Sequence, residues 1–161
     1  MLFDQVHSNP DVFEVRVPFE NVSTSATNCF VVLDEGEALV IDTGAPTDEG
    51  AAVLEMALDE LGVDRSRATF FLTHVHLDHA GLIDRVAPEG APVLVSAADF
   101  DALRAPGAST YERVRRLLAS EGVSLPEASG YARHSVEMPL FDPARVDVRF
   151  AAEGDEVAVG S

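Results

Sequence analysis

Thr69-Phe70-Phe71-Leu72-Thr73-His74-Val75-His76-Leu77-Asp78-His79-Ala80-Gly81 places three imidazoles and a carboxylate within six consecutive residues, directly behind a short apolar run. Thr69 to Leu72 is β-rich and apolar and reads as a buried strand, whereas Ala80 to Val86 reads as helical. The His-rich residues therefore fall on a strand-to-helix loop. In an extended segment the side chains of residues i and i+2 leave on the same side, roughly 6.5 to 7 Å apart at Cα. His74 and His76 can thus converge on one cation. Asp78 and His79 are adjacent and cannot share that alternation; if the chain turns into helix there, they aim at a second point a few ångströms away, the geometry of a dinuclear site. Imidazole and carboxylate without a nearby thiolate favour Zn²⁺, with Mn²⁺ or Fe²⁺ as alternatives.

Outward from this loop, periodicity gives the surrounding layer. Asp11 to Val17 alternates in part, and Phe30–Leu33 and Ala38–Ile41 are apolar runs joined by Asp34-Glu35-Gly36-Glu37, the pattern of an antiparallel hairpin. Thr47 followed by Asp48 and Glu49 marks a helix start. Val53, Leu54, Ala57, Leu58 and Leu61 supply its apolar face until Gly62 stops it. Pro92 to Val95 reads as a further strand, and Ser96 with Asp99 as an N-cap pair opening another helix. Strands and helices alternate, so the fold class is α/β.

From residue 97 to 145 the sequence turns polar and helix-rich, broken by Pro106-Gly107, Pro126 and Pro139. Tyr111 to Leu118 is amphipathic, and Leu125 to Glu137 can hold another helix. Such a stretch reads as a solvated helical hairpin packed on the core or as a segment that carries substrate selectivity, with equal weight. Arg113, Arg115 and Arg116 could grip a carboxylate, although a basic run is more often a solvated face. His134, beside Arg133, does not read as a ligand.

Composition narrows the function classes. With 161 residues and 47% hydrophobic content, the chain can bury one core. A formal net charge of −17, with all 11 basic residues arginine, repels phosphate backbones and anionic lipids. Neither nucleic acid nor a membrane is an expected partner. The single cysteine, Cys29, excludes an internal disulfide and sits in an apolar strand pattern as a small buried hydrophobe. No basic and apolar leader precedes residue 30, and no apolar run approaches a membrane span. The expected compartment is the cytoplasm.

The chain resembles the metallo-β-lactamase-fold hydrolases. Their T-H-x-H-x-D-H loop stands here as Thr73 to His79, followed by Ala80-Gly81. Leu39-Val40-Ile41-Asp42-Thr43-Gly44 matches the family strand that ends in D-T-G, and Asn28-Cys29-Phe30-Val31-Val32 is similar to the family's Asn followed by an apolar strand. The resemblance runs from about residue 12 to the C-terminus and implies an αββα sandwich. It assigns His74 and His76 to a first metal site and Asp78 and His79 to a second. Asp42 becomes a buried carboxylate supporting the loop from behind, with Thr73 beside it, and Asp78 becomes the catalytic group that orients a hydrolytic water and accepts its proton.

A complete member adds a third His, a bridging Asp and a final His from its second half, and none of these is found here. The resemblance therefore implies the N-terminal half of such a domain. Residues 1–96 would carry the metal loop, 97–145 a helical insertion and 146–161 the start of a second sheet, with Gly154 to Ser161 similar to a hairpin that continues in full-length members. The implied activity is hydrolysis of a small ester, thioester or amide-like substrate with one or two zinc ions. Within the superfamily, the hydroxyacylglutathione hydrolase-like group is the nearer resemblance. Redox relatives with a di-iron centre usually carry Glu where His76 stands. β-Lactam hydrolysis is one alternative; a non-catalytic metal-binding half-domain acting through assembly is another. A lone half would leave one sheet face uncovered, which implies a homodimer formed sheet against sheet.

Overall fold

The computed structural model describes residues 2–19, 25–104, 120, 122 and 141–160. The sequence-based helices at Tyr111 to Leu118 and Leu125 to Glu137, the Arg113, Arg115, Arg116 cluster and His134 lie outside the described residues.

Among the described residues, seven strands form one sheet in chain order: β1 (Phe3–Ser8), β2 (Asp11–Pro18), β3 (Ala26–Asp34), β4 (Glu37–Ile41), β5 (Ala68–Phe71), β6 (Pro92–Ser96) and β7 (Asp147–Ala151). The first four are antiparallel and the last four parallel, with β4 shared. Connection length decides which. Between β3 and β4 the turn residues Glu35 and Gly36 both take positive φ, 46° and 78°, the left-handed pair whose twist suits a tight hairpin. Beyond β4 each strand is reached by a crossover, which returns the chain to the same end of the sheet and makes the pairing parallel. The crossover from β4 to β5 carries helix α1 (Asp48–Glu60), and that from β5 to β6 carries α2 (Leu77–Ala80) and α3 (Ile83–Val86). Helix α4 (Ala97–Arg104) follows β6.

The helix signals read from sequence act as expected. Thr47 Oγ1 accepts the Gly50 N–H at 3.0 Å and caps α1. At its other end the Gly62 N–H, with φ 70°, bonds the Asp59 carbonyl. The Asp99 N–H donates to Ser96 Oγ at 3.1 Å at the start of α4.

One face of the sheet carries the core. Val15 and Val17 of β2, Cys29 and Val31 of β3, Ala38 and Val40 of β4, Ala68 and Phe70 of β5, and Val93 and Val95 of β6 are all buried, together with Ala51, Leu54, Ala57 and Leu58 of α1. Burying a side chain the size of Phe70 contributes about 1.5–3 kcal/mol. On the other face Phe30, Val32, Leu39, Ile41, Phe71 and Leu94 are only half-buried.

Three elements differ from the sequence reading. The helix expected over 80–86 is two four-residue helices, because the Leu82 N–H leaves the helical ladder for Thr43 Oγ1, 3.2 Å away. Residues 146–161 do not open a second sheet within the described residues: Asp147–Ala151 pairs parallel with β6 and extends the first. β1 was not anticipated, since five of its six residues are exposed and its sequence carries no alternation to read. Among the described residues, no helix is long and apolar enough to cross a membrane.

Candidate functional site

The His-rich loop sits where the parallel strands β4 and β5 end, the edge of an α/β sheet at which ligand sites form. β5 stops at Phe71, and the Leu72 N–H continues its pairing by donating to the Leu94 carbonyl at 2.9 Å. His76, with φ −80° and ψ 155°, is the last extended residue and stands at the N-cap position of α2 without a side-chain capping bond, so Asp78 and His79 project from a helical turn.

That turn gathers the side chains. The rings of His74 and His76 have centroids 4.4 Å apart, and those of His74 and His79 are 4.0 Å apart. His79 Nε2 lies 3.8 Å from Asp78 Oδ2. The structure thus brings His74, His76, Asp78 and His79 into one cluster, and His74 is as near to His79 as to its expected partner His76. Among the described residues, no three His, Cys, Asp or Glu side chains are arranged as a complete ligand set. The donor chemistry nonetheless suits a borderline divalent cation, with three imidazoles, a carboxylate and no thiolate facing them.

Asp42 organises the cluster from beneath. It is 3% exposed, at the end of β4, and its φ of 57° lies in the left-handed region that Asp and Asn enter more readily than other side chains. Its Oδ1 accepts the Thr73 N–H at 2.9 Å, and its Oδ2 accepts both the Thr73 hydroxyl at 2.7 Å and His79 Nδ1 at 2.8 Å. A carboxylate can only accept, so Nδ1 of His79 carries a proton and Nε2 is the ring nitrogen left to face a ligand. The same logic reaches His74: the Thr73 hydroxyl spends its one proton on Asp42, so His74 Nδ1, 3.1 Å away, must be the donor. Both rings therefore present Nε2 as a ligand atom. The charged form of His74 is disfavoured, first by burial and then by His79 and His76, which lowers its pKa. A neutral ring is what a metal ligand requires.

Two buried threonines were not singled out from sequence. Thr27 and Thr43 are 5% and 0% exposed. The Thr27 hydroxyl donates to the Asp78 carbonyl at 2.7 Å; the Thr43 hydroxyl and amide donate to the His79 carbonyl at 3.0 and 2.7 Å. Thr43 stands in the quoted D-T-G stretch. Thr27 left a fainter mark, a hydroxyl on the strand face otherwise occupied by Cys29 and Val31. Cys29 is buried, and burial together with the Asp42 charge pushes its thiol pKa up, which leaves it unreactive.

The metallo-beta-lactamase superfamily model matches residues 22–160. The chain belongs to this superfamily. Solved structures carry the same fold. A metallo-beta-lactamase family protein from Thermus thermophilus aligns with a TM-score of 0.64 at 24% identity, over 92% of this chain and 48% of its own. A metallo-beta-lactamase from Cronobacter sakazakii gives 0.59 at 22% identity, over 99% and 51%. A flavo di-iron protein from Thermotoga maritima gives 0.57 at 15%, over 98% and 33%. The chain thus spans about half the length of the first two and a third of the last. No curated protein matches the sequence. A metallo-beta-lactamase-like fold, in a superfamily made mostly of metal-dependent hydrolases, is therefore established for this chain.

Proposed function

We propose that this chain carries the metal-binding loop of a zinc-dependent hydrolase acting on a small ester, thioester or amide-like substrate. The observation that carries the proposal is the clustering of three imidazoles, two of which have their inner nitrogens tied down, His79 to Asp42 and His74 to Thr73. Such partners fix the tautomer and orientation of a ligating ring. In this reading His74, His76, Asp78 and His79 hold the ion, and Asp42 and Thr73 hold the ligands. A bound divalent cation supplies Lewis acidity, lowering the pKa of water toward about 7 and polarising a scissile carbonyl. Asp78 orients the attacking water and accepts its proton. A hydroxyacylglutathione hydrolase-like thioester substrate and a cytoplasmic setting are part of this reading.

The test begins with the chain itself. Metal analysis after dialysis against a mild chelator is expected to find weakly held zinc at less than two ions per chain, abolished in a His74→Ala, His76→Ala double variant. Two tightly retained ions, or zinc uptake that survives the double variant, would overturn the ligand assignment. Parallel assays with a thioester and a chromogenic cephalosporin separate thioester from β-lactam hydrolysis. Metal binding without turnover of either substrate class, including simple esters, would favour a non-catalytic metal-binding module.

A further inference from the structure

The row of side chains on the core face of β3 is apolar except at Thr27, which pairs with Val17 in the register and continues the line of Cys29 and Val31. A hydroxyl in such a row is costly unless it is bonded. Its proton goes to the carbonyl oxygen of Asp78, 51 residues away in sequence and 2.7 Å away in space. Asp78 lies in α2, a helix of only four residues, whose carbonyls have no following turn to supply N–H donors. The neighbouring His79 carbonyl is secured twice, by the main-chain N–H and the hydroxyl of Thr43. Thr27 is the side chain that anchors the peptide of Asp78 to the sheet.

We infer that Thr27 is a positioning residue for the Asp78 carboxylate, fixing through the Asp78 carbonyl the direction in which that side chain leaves α2. This rests on the metal-loop reading above and deepens it. Asp42 controls the ring of His79 and the backbone of Thr73, but it makes no hydrogen bond to Asp78. Without the Thr27 hydroxyl the helical turn keeps its His79 anchor, and the Asp78–His79 peptide keeps its N–H bond to the His76 carbonyl at 3.0 Å, but the Asp78 carbonyl loses its tie to the sheet and the peptide can tilt about that remaining bond. Ligand geometry then suffers before overall folding does.

Co²⁺ alone is the probe, titrated into the 161-residue chain and into Thr27→Ser, Thr27→Val and Asp78→Asn, with melting of each metal-free protein recorded alongside. Thr27→Ser keeps the hydroxyl and is expected to bind Co²⁺ like the parent. Thr27→Val matches the shape without the donor; it is expected to lose about tenfold or more in affinity, the usual effect of removing a ligand's supporting partner, with an altered visible absorption band. A purely structural Thr27 would lower the melting temperature yet leave affinity and spectrum unchanged well below it. Parent-like binding by Thr27→Val, while Asp78→Asn is weakened, overturns the positioning role and leaves the metal loop standing. Failure of the parent to bind Co²⁺ overturns both. If Thr27→Val is unfolded at the assay temperature, Thr27→Ala, which lacks the hydroxyl and adds no bulk, decides by the same two readouts.

Discussion

Asp42 Oδ2 lies 2.8 Å from His79 Nδ1, joining the end of β4 to the first turn after the His-rich loop across 37 residues of sequence. The same carboxylate receives the amide and hydroxyl of Thr73, so one buried group fixes both ends of the loop. Asp42→Asn keeps the size and the tolerance for left-handed φ, but turns one acceptor into a donor facing other donors. It is expected to cost roughly 1–3 kcal/mol of stability, the penalty for leaving buried groups unsatisfied. Zinc affinity should fall as well, since the His79 tautomer is no longer dictated. Denaturant titration of the metal-free protein and competition with a chelator check the two effects separately; an unchanged zinc affinity would remove Asp42 from the site.

Much of this arrangement was legible in sequence because it rests on local patterns. The Phe30–Leu33 and Ala38–Ile41 hairpin, the Thr47 cap and the β5 run are each decided by residues a few positions apart. Asp42 was placed behind the loop by family resemblance, and its three hydrogen bonds are now explicit. Thr27 and Thr43 escaped notice because their partners are 51 and 36 residues away, and a single threonine has no periodic signature of its own. The break between α2 and α3 was hidden for the same reason: it depends on the Thr43 hydroxyl receiving the Leu82 amide. The resemblance places residues 146–161 at the start of a second sheet, whereas Asp147–Ala151 pairs with β6, because pairing partners are set by the path of the chain, which local pattern does not record.

The Thr47 cap offers a measurement of local stability away from the loop. Its hydroxyl oxygen takes the Gly50 N–H at 3.0 Å. Thr47→Ala should lower stability by about 1 kcal/mol, seen as a lower urea midpoint at constant slope. Thr47→Ser should restore most of it. A Thr47→Ala midpoint equal to the parent's would mean that the α1 start is held by packing against β2 alone.

The half-buried face of the sheet bears on association. Register places Phe30 beside Ile41, Ile41 beside Phe71 and Phe71 beside Leu94, with Val32 and Leu39 paired in the next row. A contiguous apolar patch of this kind tends to become an interface. The net charge of −17 opposes contact between two copies, and salt screens that repulsion. We propose that two copies meet through this face, so light scattering should report a dimer that strengthens with ionic strength. Leu39→Glu, in the row beside Val32 and two residues further from the His-rich end of β4 than Ile41, should return it to monomer. A parent chain that stays monomeric at every salt concentration refutes the interface.

Two glycines distinguish packing from conformation. Gly62 has φ 70° with nothing within 4 Å of where a Cβ would stand, so Gly62→Ala carries only the left-handed backbone penalty, about 1 kcal/mol. Gly81 has φ −68°, which any residue adopts, and by backbone angle alone it looks replaceable. A Cβ there, however, would collide with the Leu77 carbonyl and the Pro46 ring, and would stand 2.9 Å from the Pro46 nitrogen. These are mostly backbone atoms that cannot swing aside, so α2 would have to lift from the chain segment after β4. That movement carries Asp78 and His79 with it. Gly81→Ala is therefore expected to cost roughly 2–3 kcal/mol, in the overpacking range, and to weaken zinc binding. Gly62→Ala should lose less stability and bind zinc as the parent does. Paired melting and zinc-competition measurements decide it: if Gly81→Ala proves the milder of the two, α2 is not held against Pro46 and the tight seating of the loop on β4 is wrong.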